Sequence, residues 1–376
     1  MPKFLKLLLG LGLLLRIVIS PFQYSGDIKN HDVWGRFVLT GDRSTIYQTK
    51  FPGFNDVNYP SLTLIFFGVS SFLYLSTLNL VHFLNSHIQL FPSFLVPLLE
   101  SDNFRFAFLK LPAIFADIGI SILIYKFARL LKRNWTLPVI FVLFNPAVIY
   151  ISSVWGQIES IPVFFILLAI FLYFTRQSLV LTLFCFALAS LTKQTALWVA
   201  PVFFSIASRH NLQTNIKAVF LSIFLFVVLS SPFSNLQEVF TIYVSTLAGS
   251  STSISDQAYN IWHFLFQGKQ LSDQISLGFI SIRTLSITIV AILYAFIFIK
   301  SLKSNKNTLE HIFIQLTLYS LIAFFFQTRV HERHLAPALF FASIPATFSP
   351  KGKLGYVFLS TYHMINLYTG LWLPFV

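Results

Sequence analysis

Long apolar runs broken by short polar segments dominate this chain, and the run lengths set the elements. Residues 4 to 21 form the first run, directly after Lys3 and Lys6, and a polar stretch at 22 to 59 separates it from the next, 61 to 78. Others cover 80 to 99, 106 to 127, 136 to 153, 159 to 175, 216 to 233, 277 to 299, 309 to 328 and 354 to 374. A helix needs roughly 20 apolar residues to cross a bilayer core. The pattern therefore predicts an all-α polytopic membrane protein with about 11 to 13 spans. The run at 80 to 99 carries His82, Asn85, His87 and Gln89 and is the weakest span, tilted or re-entrant. Two shorter runs, 178 to 191 and 195 to 207, flank Thr192-Lys193-Gln194 and predict a hairpin or broken helix turning within the membrane thickness. The run at 336 to 348 is short as well. Residues 4 to 21 resemble a signal peptide without a small-x-small cleavage site, and are read as an uncleaved first span.

Composition agrees with this pattern. With 56% hydrophobic and 10% charged residues among 376, and a mean hydropathy of +0.74, the chain has more apolar surface than a water-soluble core can bury. Basic residues then orient it, since short Lys/Arg-rich loops stay cytoplasmic. Threading the spans in order places on that side Lys3 and Lys6; Lys126, Arg129, Lys132 and Arg133; Arg176; Arg209 and Lys217; Lys300, Lys303 and Lys306; and Lys351 and Lys353. This parity requires 80 to 99 to count as a full span. It leaves outside the loop 22 to 59, the turn Trp155-Gly156-Gln157-Ile158-Glu159, Lys193, the segment 234 to 275, the turn at 331 to 334 and the C terminus. The net charge of +13 is thus a topological signal and an attraction to anionic lipid headgroups, and no nucleic-acid partner is expected. Asn134-Trp135-Thr136 is a glycosylation sequon placed on the inner side, where it is inert, and the lone Cys185 excludes an internal disulfide. Without repeats or a soluble domain, residues 1–376 read as one domain of the cell membrane, with 22–59 and 234–275 as its long extracytoplasmic loops.

Polar residues that interrupt the apolar runs carry the candidate chemistry. Asp27 directly follows the first span; it reads either as a helix N-cap or as a general base at the membrane edge. Asp32 is the second candidate base, and Asp42 reads as a turn residue. Ile28 to Leu39 suits an interfacial helix that turns Val33, Trp34, Phe37 and Val38 to lipid or protein. Asn58-Tyr59-Pro60-Ser61 is a helix start or a positioning segment. Asp117, inside a span, needs a buried partner, either Arg16 or a hydroxyl. Lys110, nearer the outer face, is expected to meet an anionic group. Lys193 and Gln194 sit at the break between two half-helices, where Lys193 either snorkels or meets an anion. In His331-Glu332-Arg333-His334 the histidines are three apart rather than the four of a zinc helix, although His and Glu remain good ligands for several metals and a metal site stays an alternative. With Arg329 and Arg333 adjacent, that turn reads as a phosphate site or as a plain basic outer turn. Arg283 is a secondary phosphate candidate.

The order of the motifs GDIKNHDVW, NYPSLT, KLPAIFADIG, WGQIES, LTKQTALWVAPVFF and VHERHLAPAL, from residue 26 to about 340, resembles the GT-C glycosyltransferases. It looks most like the branch holding endoplasmic reticulum alpha-1,3-glucosyltransferases and bacterial proteins related to glycosylphosphatidylinositol mannosyltransferases. The resemblance implies a GT-C-like bundle and inverting transfer of a hexose, mannose or glucose, from a polyprenyl- or dolichyl-phosphate carrier. The acceptor would be an extracytoplasmic glycan, glycolipid or protein, with no metal or other cofactor. Asp27 aligns with the family's base, with Asp32 behind it. Lys193, His331, Arg333 and Arg329 would hold the donor phosphate. Trp34, Tyr59, Gln157, Glu159 and Gln194 would line the acceptor and sugar pocket. Three departures stand out: Glu159 where related bacterial proteins usually have Asp, His334 where Tyr is common, and one proline in NYPS where relatives often have two. The region after 340 is also short. The rival class is a transporter or lipid flippase with a polar path through Arg16, Asp117 and Lys193, although transporters show paired broken helices and one break is visible here. A third reading is a noncatalytic subunit that binds a lipid-linked sugar.

Overall fold

The computed structural model describes residues 1–247, 251–304 and 308–372. It is about 74% helical, and among the described residues the strands form one two-residue hairpin, Ser276–Leu277 with Ile280–Ser281. Among the described residues six helices are long and apolar enough to cross a membrane: Ser61–His87, Asp102–Leu130, Thr136–Trp155, Leu212–Ser230, Ile282–Lys303 and Leu309–Phe326. Shorter apolar helices, Ser160–Arg176, Leu179–Thr192 and Gln194–Ala207, pack among them. Bare leucine, isoleucine and phenylalanine side chains cover the outside, among them Leu7, Leu14, Phe220, Ile223, Ile292 and Phe296. Such a surface requires lipid, so the protein is all-α and membrane-embedded.

The first helix, Lys3–Ile19, runs antiparallel to Asp102–Leu130, because Arg16 meets Asp117 while Lys110 reaches the carbonyl of Ser20. Both Lys3 and Leu130 therefore lie at one end of the bundle. The other basic clusters collect there. Arg133 pairs with Glu310 and lies over the Phe348 ring, next to Lys351; Arg209 binds the carbonyls of Ser301 and Ser304 beside Lys303; Lys126 lies over Phe171. Lys306, assigned above to this side, falls outside the described residues, as do the last residues of the run 354 to 374 and the C terminus.

One expected span is corrected. Residues 61 to 78 and 80 to 99 do not form two spans: a single helix covers Ser61–His87, and a turn leads to the short helix Leu95–Glu100. Tyr74 donates to the Leu99 carbonyl, His82 meets Glu100, and Arg105 meets Asp32 of the first loop. The chain therefore returns to the end it left at Ile19 before entering Asp102–Leu130. The parity of the basic clusters survives for that reason, and the polar residues His82, Asn85 and His87 cover the last turns of one long helix.

The loop after the first helix folds into Asp27–Thr40, a helix that buries Ile28, His31, Gly35 and Val38 at spacings of three and four. It lies against Ser61–His87 through two glycines. A Cβ on Gly35 would come within 2.6 Å of the Phe67 carbonyl oxygen, and one on Gly68 within 2.8 Å of Val38. Trp34 and Val38 thus face protein, in a small core with Phe67, Phe106 and Ile158. The break predicted at 192 to 194 is present. Leu179–Thr192 ends, Lys193 is extended, and a 3-10 turn opens Gln194–Val199. Thr63 stabilises that end by donating to the Thr192 carbonyl at 2.5 Å.

Candidate functional site

At the end opposite the basic clusters, four segments bring ionisable groups together. Asp27 is the first residue of its helix, with Gly26 at the cap position and no capping bond from the Asp27 side chain. Its carboxylate instead accepts from Gln157 Nε2 at 2.6 Å and lies 3.7 Å from Arg333 Nη1. The N-cap reading is thereby set aside. Gln157 reaches this position because Gly156 turns the chain with φ +86°, where a side chain would also strike Ile28 at 2.5 Å. Arg333 continues the network to Glu332 at 3.0 Å and Glu159 at 3.6 Å, and Glu159 forms a short ion pair with Lys193. Burial pushes the Asp27 carboxyl up, but the Arg333 guanidinium, the Gln157 amide and the Lys193 ammonium outweigh it and hold it below its usual value. Burial takes His31 down to about 3, so this ring is neutral at physiological pH.

A cavity of about 200 Å³ opens beside this cluster, lined by Tyr59, Lys193, Gln194, Arg283, His331 and Arg333 among others. Asp27 is not among the lining residues but lies 3.7 Å from Arg333, which is. Gln194 donates to Thr246 at 2.5 Å, and Tyr59 stacks edge-on against His31. Next to the cavity runs an apolar groove of about 670 Å³ lined by Phe186, Leu191, Leu197, Phe203, Phe226 and Tyr243. Leu191 and Leu197 of the groove flank Lys193, Gln194 and Thr195 of the cavity wall in the chain.

The turn at 331 to 334 departs from its expected role. His331 N–H donates to His334 Nδ1, and the His331 side chain accepts in return from the backbone of His334. Both rings are thereby fixed as neutral tautomers, and burial holds their pKa values well below the usual range. His331 Nε2 turns to Asp256 Oδ2 at 3.4 Å. His331 therefore offers no positive charge to a phosphate. Arg329 is fork-paired to Asp273 at 2.7 and 2.9 Å, which directs those donors into the wall.

Asp32 is also displaced from the cluster. Five residues beyond Asp27, it points to another side of the helix, where Arg36 at 2.8 Å and Arg105 at 3.3 Å hold it. Trp34 is buried behind the site, donating to the Asn55 carbonyl at 3.1 Å. Among the described residues Lys110 meets no anion: its ammonium donates to the carbonyls of Ser20, Gln23 and Ser153 at 2.6, 2.5 and 2.9 Å. Asp256 and Asp273 escaped the sequence reading. Their signal was modest: acidic residues in the segment 234 to 275 of a chain with only 13 acidic side chains. No three His, Cys, Asp or Glu side chains cluster as metal ligands among the described residues. Compared with protein families and with characterised proteins, the chain matches neither a family profile nor an individual sequence.

Proposed function

We propose that this protein is an inverting hexosyltransferase of the GT-C type that takes its sugar, mannose or glucose, from a polyprenyl phosphate. The observation that carries the reading is Asp27, held by Gln157 and 3.7 Å from Arg333, which lines a polar cavity, with an apolar groove lined by the nearby residues Leu191 and Leu197. A lipid-linked phosphate sugar needs both surroundings, one for its headgroup and one for its isoprenoid chain. In the reaction the acceptor hydroxyl oxygen bonds to the anomeric carbon as the bond from that carbon to the phosphate oxygen breaks. Asp27 takes the hydroxyl proton, and polyprenyl phosphate leaves as an anion that needs no acid. Among the described residues Gln157 Oε1 and Glu159 Oε2 are buried without hydrogen-bond partners, acceptor capacity that sugar or acceptor hydroxyls reach only once the cavity widens around a bound substrate.

The finer topology belongs to the same proposal: a multi-pass bundle of about 11 to 13 crossings and re-entrant helices, basic end in the cytoplasm, site facing outward. The acceptor is a glycan, glycolipid or protein on that face, and no cofactor takes part. The Arg16–Asp117 pair, on which a transport path would rest, is closed in by Ser152, Ser160 and the carbonyls of Gly12 and Leu143. The deciding experiment uses purified protein with radiolabelled polyprenyl-phosphate mannose and glucose. We expect transfer or slow hydrolysis by the wild type, and a loss of roughly 100- to 10,000-fold in Asp27→Asn, which stays folded. Undiminished activity in that variant removes Asp27 from the mechanism.

A further inference from the structure

The charges around the cavity single out a cation that the reading above does not use. Lys193 faces Glu159, Arg329 faces Asp273, and Arg333 is shared among Asp27, Glu332 and Glu159. Arg283, early in the helix Ile282–Lys303, lines the same cavity, and among the described residues no ion pair or side-chain hydrogen bond engages its guanidinium. Ser286 and Ile287, one turn on, share its helix face and the same wall. The helix start is held in place. Arg283 N donates to the Asp273 carbonyl at 2.9 Å, and Ser281 caps the Thr284 N–H at 3.2 Å. One turn along, Ser286 donates to the Phe326 carbonyl at 2.8 Å and accepts from Thr328 N at 3.0 Å.

We propose that Arg283 is the primary ligand for the phosphate of a lipid phosphate entering this cavity. An anion approaching Lys193, Arg329 or Arg333 has to displace a carboxylate that is already matched to the cation. At Arg283 it displaces only water, and the planar fork suits two phosphate oxygens. Arg333 then works on the base side of the cluster and Arg283 on the leaving-group side. The identity of the lipid rests on the sugar-transfer reading; the anion site rests on the charge arrangement alone.

The test is binding of farnesyl phosphate to the full chain in nanodiscs of zwitterionic lipid, followed by tryptophan fluorescence, since Trp198 lines the cavity. Farnesol and inorganic phosphate are the control ligands. The expected result is that Arg283→Gln weakens farnesyl phosphate binding roughly 10- to 100-fold, the weight of a charge-assisted pair of hydrogen bonds, while Arg283→Lys, which keeps the charge and loses the fork, recovers only part of it. Inorganic phosphate should bind far more weakly, lacking the tail. A second measurement needs no variant: phenylglyoxal modification of Arg283 in the wild type, mapped by mass spectrometry, is suppressed by farnesyl phosphate and not by farnesol. Unchanged binding in Arg283→Gln, equal binding of farnesol, or no protection of Arg283 overturns the proposal. Inorganic phosphate binding as tightly as farnesyl phosphate overturns the lipid as its source. A wild type that binds farnesyl phosphate through Arg283 yet transfers no sugar keeps this inference and sinks the enzyme reading.

Discussion

Asp27 shows how one carboxylate acquires a role from its neighbours. In sequence it follows a glycine at a helix start, which suits a cap as well as a base. In the structure its oxygen is taken by Gln157, a residue 130 positions away, and Arg333 approaches from the far end of the chain. The sign of its titration follows. A carboxyl held below the ordinary value, about 3.9, stays charged through neutral pH, so activity is retained until the pH falls through that lowered value. Replacing Arg333 by Gln removes the largest lowering influence. The acid limb of kcat/KM should then move to higher pH, and a limb left in place would show that Arg333 does not govern the base. That the residues of GDIKNHDVW, WGQIES and VHERH meet was legible as an expectation from their common side of the membrane. Which of their polar atoms meet was not, because contacts across 130 to 300 positions leave no periodicity in a sequence.

At the scale of elements, the site depends on two segments held in register. Lys110 donates all three of its protons to backbone carbonyls, from Ser20, Gln23 and Ser153, and Ser25 joins the same two strands of chain through its bonds to the Trp155 carbonyl. Lysine matches this geometry with three donors on one atom. Lys110→Met leaves three buried carbonyls without that partner and should destabilise the protein by about 3 kcal/mol or more, read as a lower melting temperature in detergent. Gly35→Ala should cost about 1 to 3 kcal/mol, since its Cβ would press on the Phe67 carbonyl. A wild-type melting temperature in either variant would refute the packing account. The broken helix at Lys193 was readable from the two half-length apolar runs that flank it. The single helix Ser61–His87 was not, because the polar residues at its end mimic a break between spans.

For the whole molecule, the basic clusters at one end and the ionisable cluster at the other define an axis along the bundle. Single-cysteine variants on a Cys185→Ser background test its direction in intact cells. Ser44→Cys should react with a membrane-impermeant maleimide, and Lys132→Cys should react only after lysis; the reverse pattern would invert the proposed orientation. The sequence alone determined that lipid must surround this protein, where most of the long helices begin and end, with Ser61–His87 and Leu236–Leu247 as exceptions, and which polar positions are costly enough to need partners. These follow from local composition, because apolar run length and charge are properties of neighbouring residues. The tertiary structure alone decided the rest: Asp32 pairs with Arg105, Arg329 with Asp273, the two histidines cap each other, and Arg283, in the cavity wall, is unpaired among the described residues. Charge pairing is settled by distances of a few ångströms between segments far apart in the chain, and only packing sets those distances.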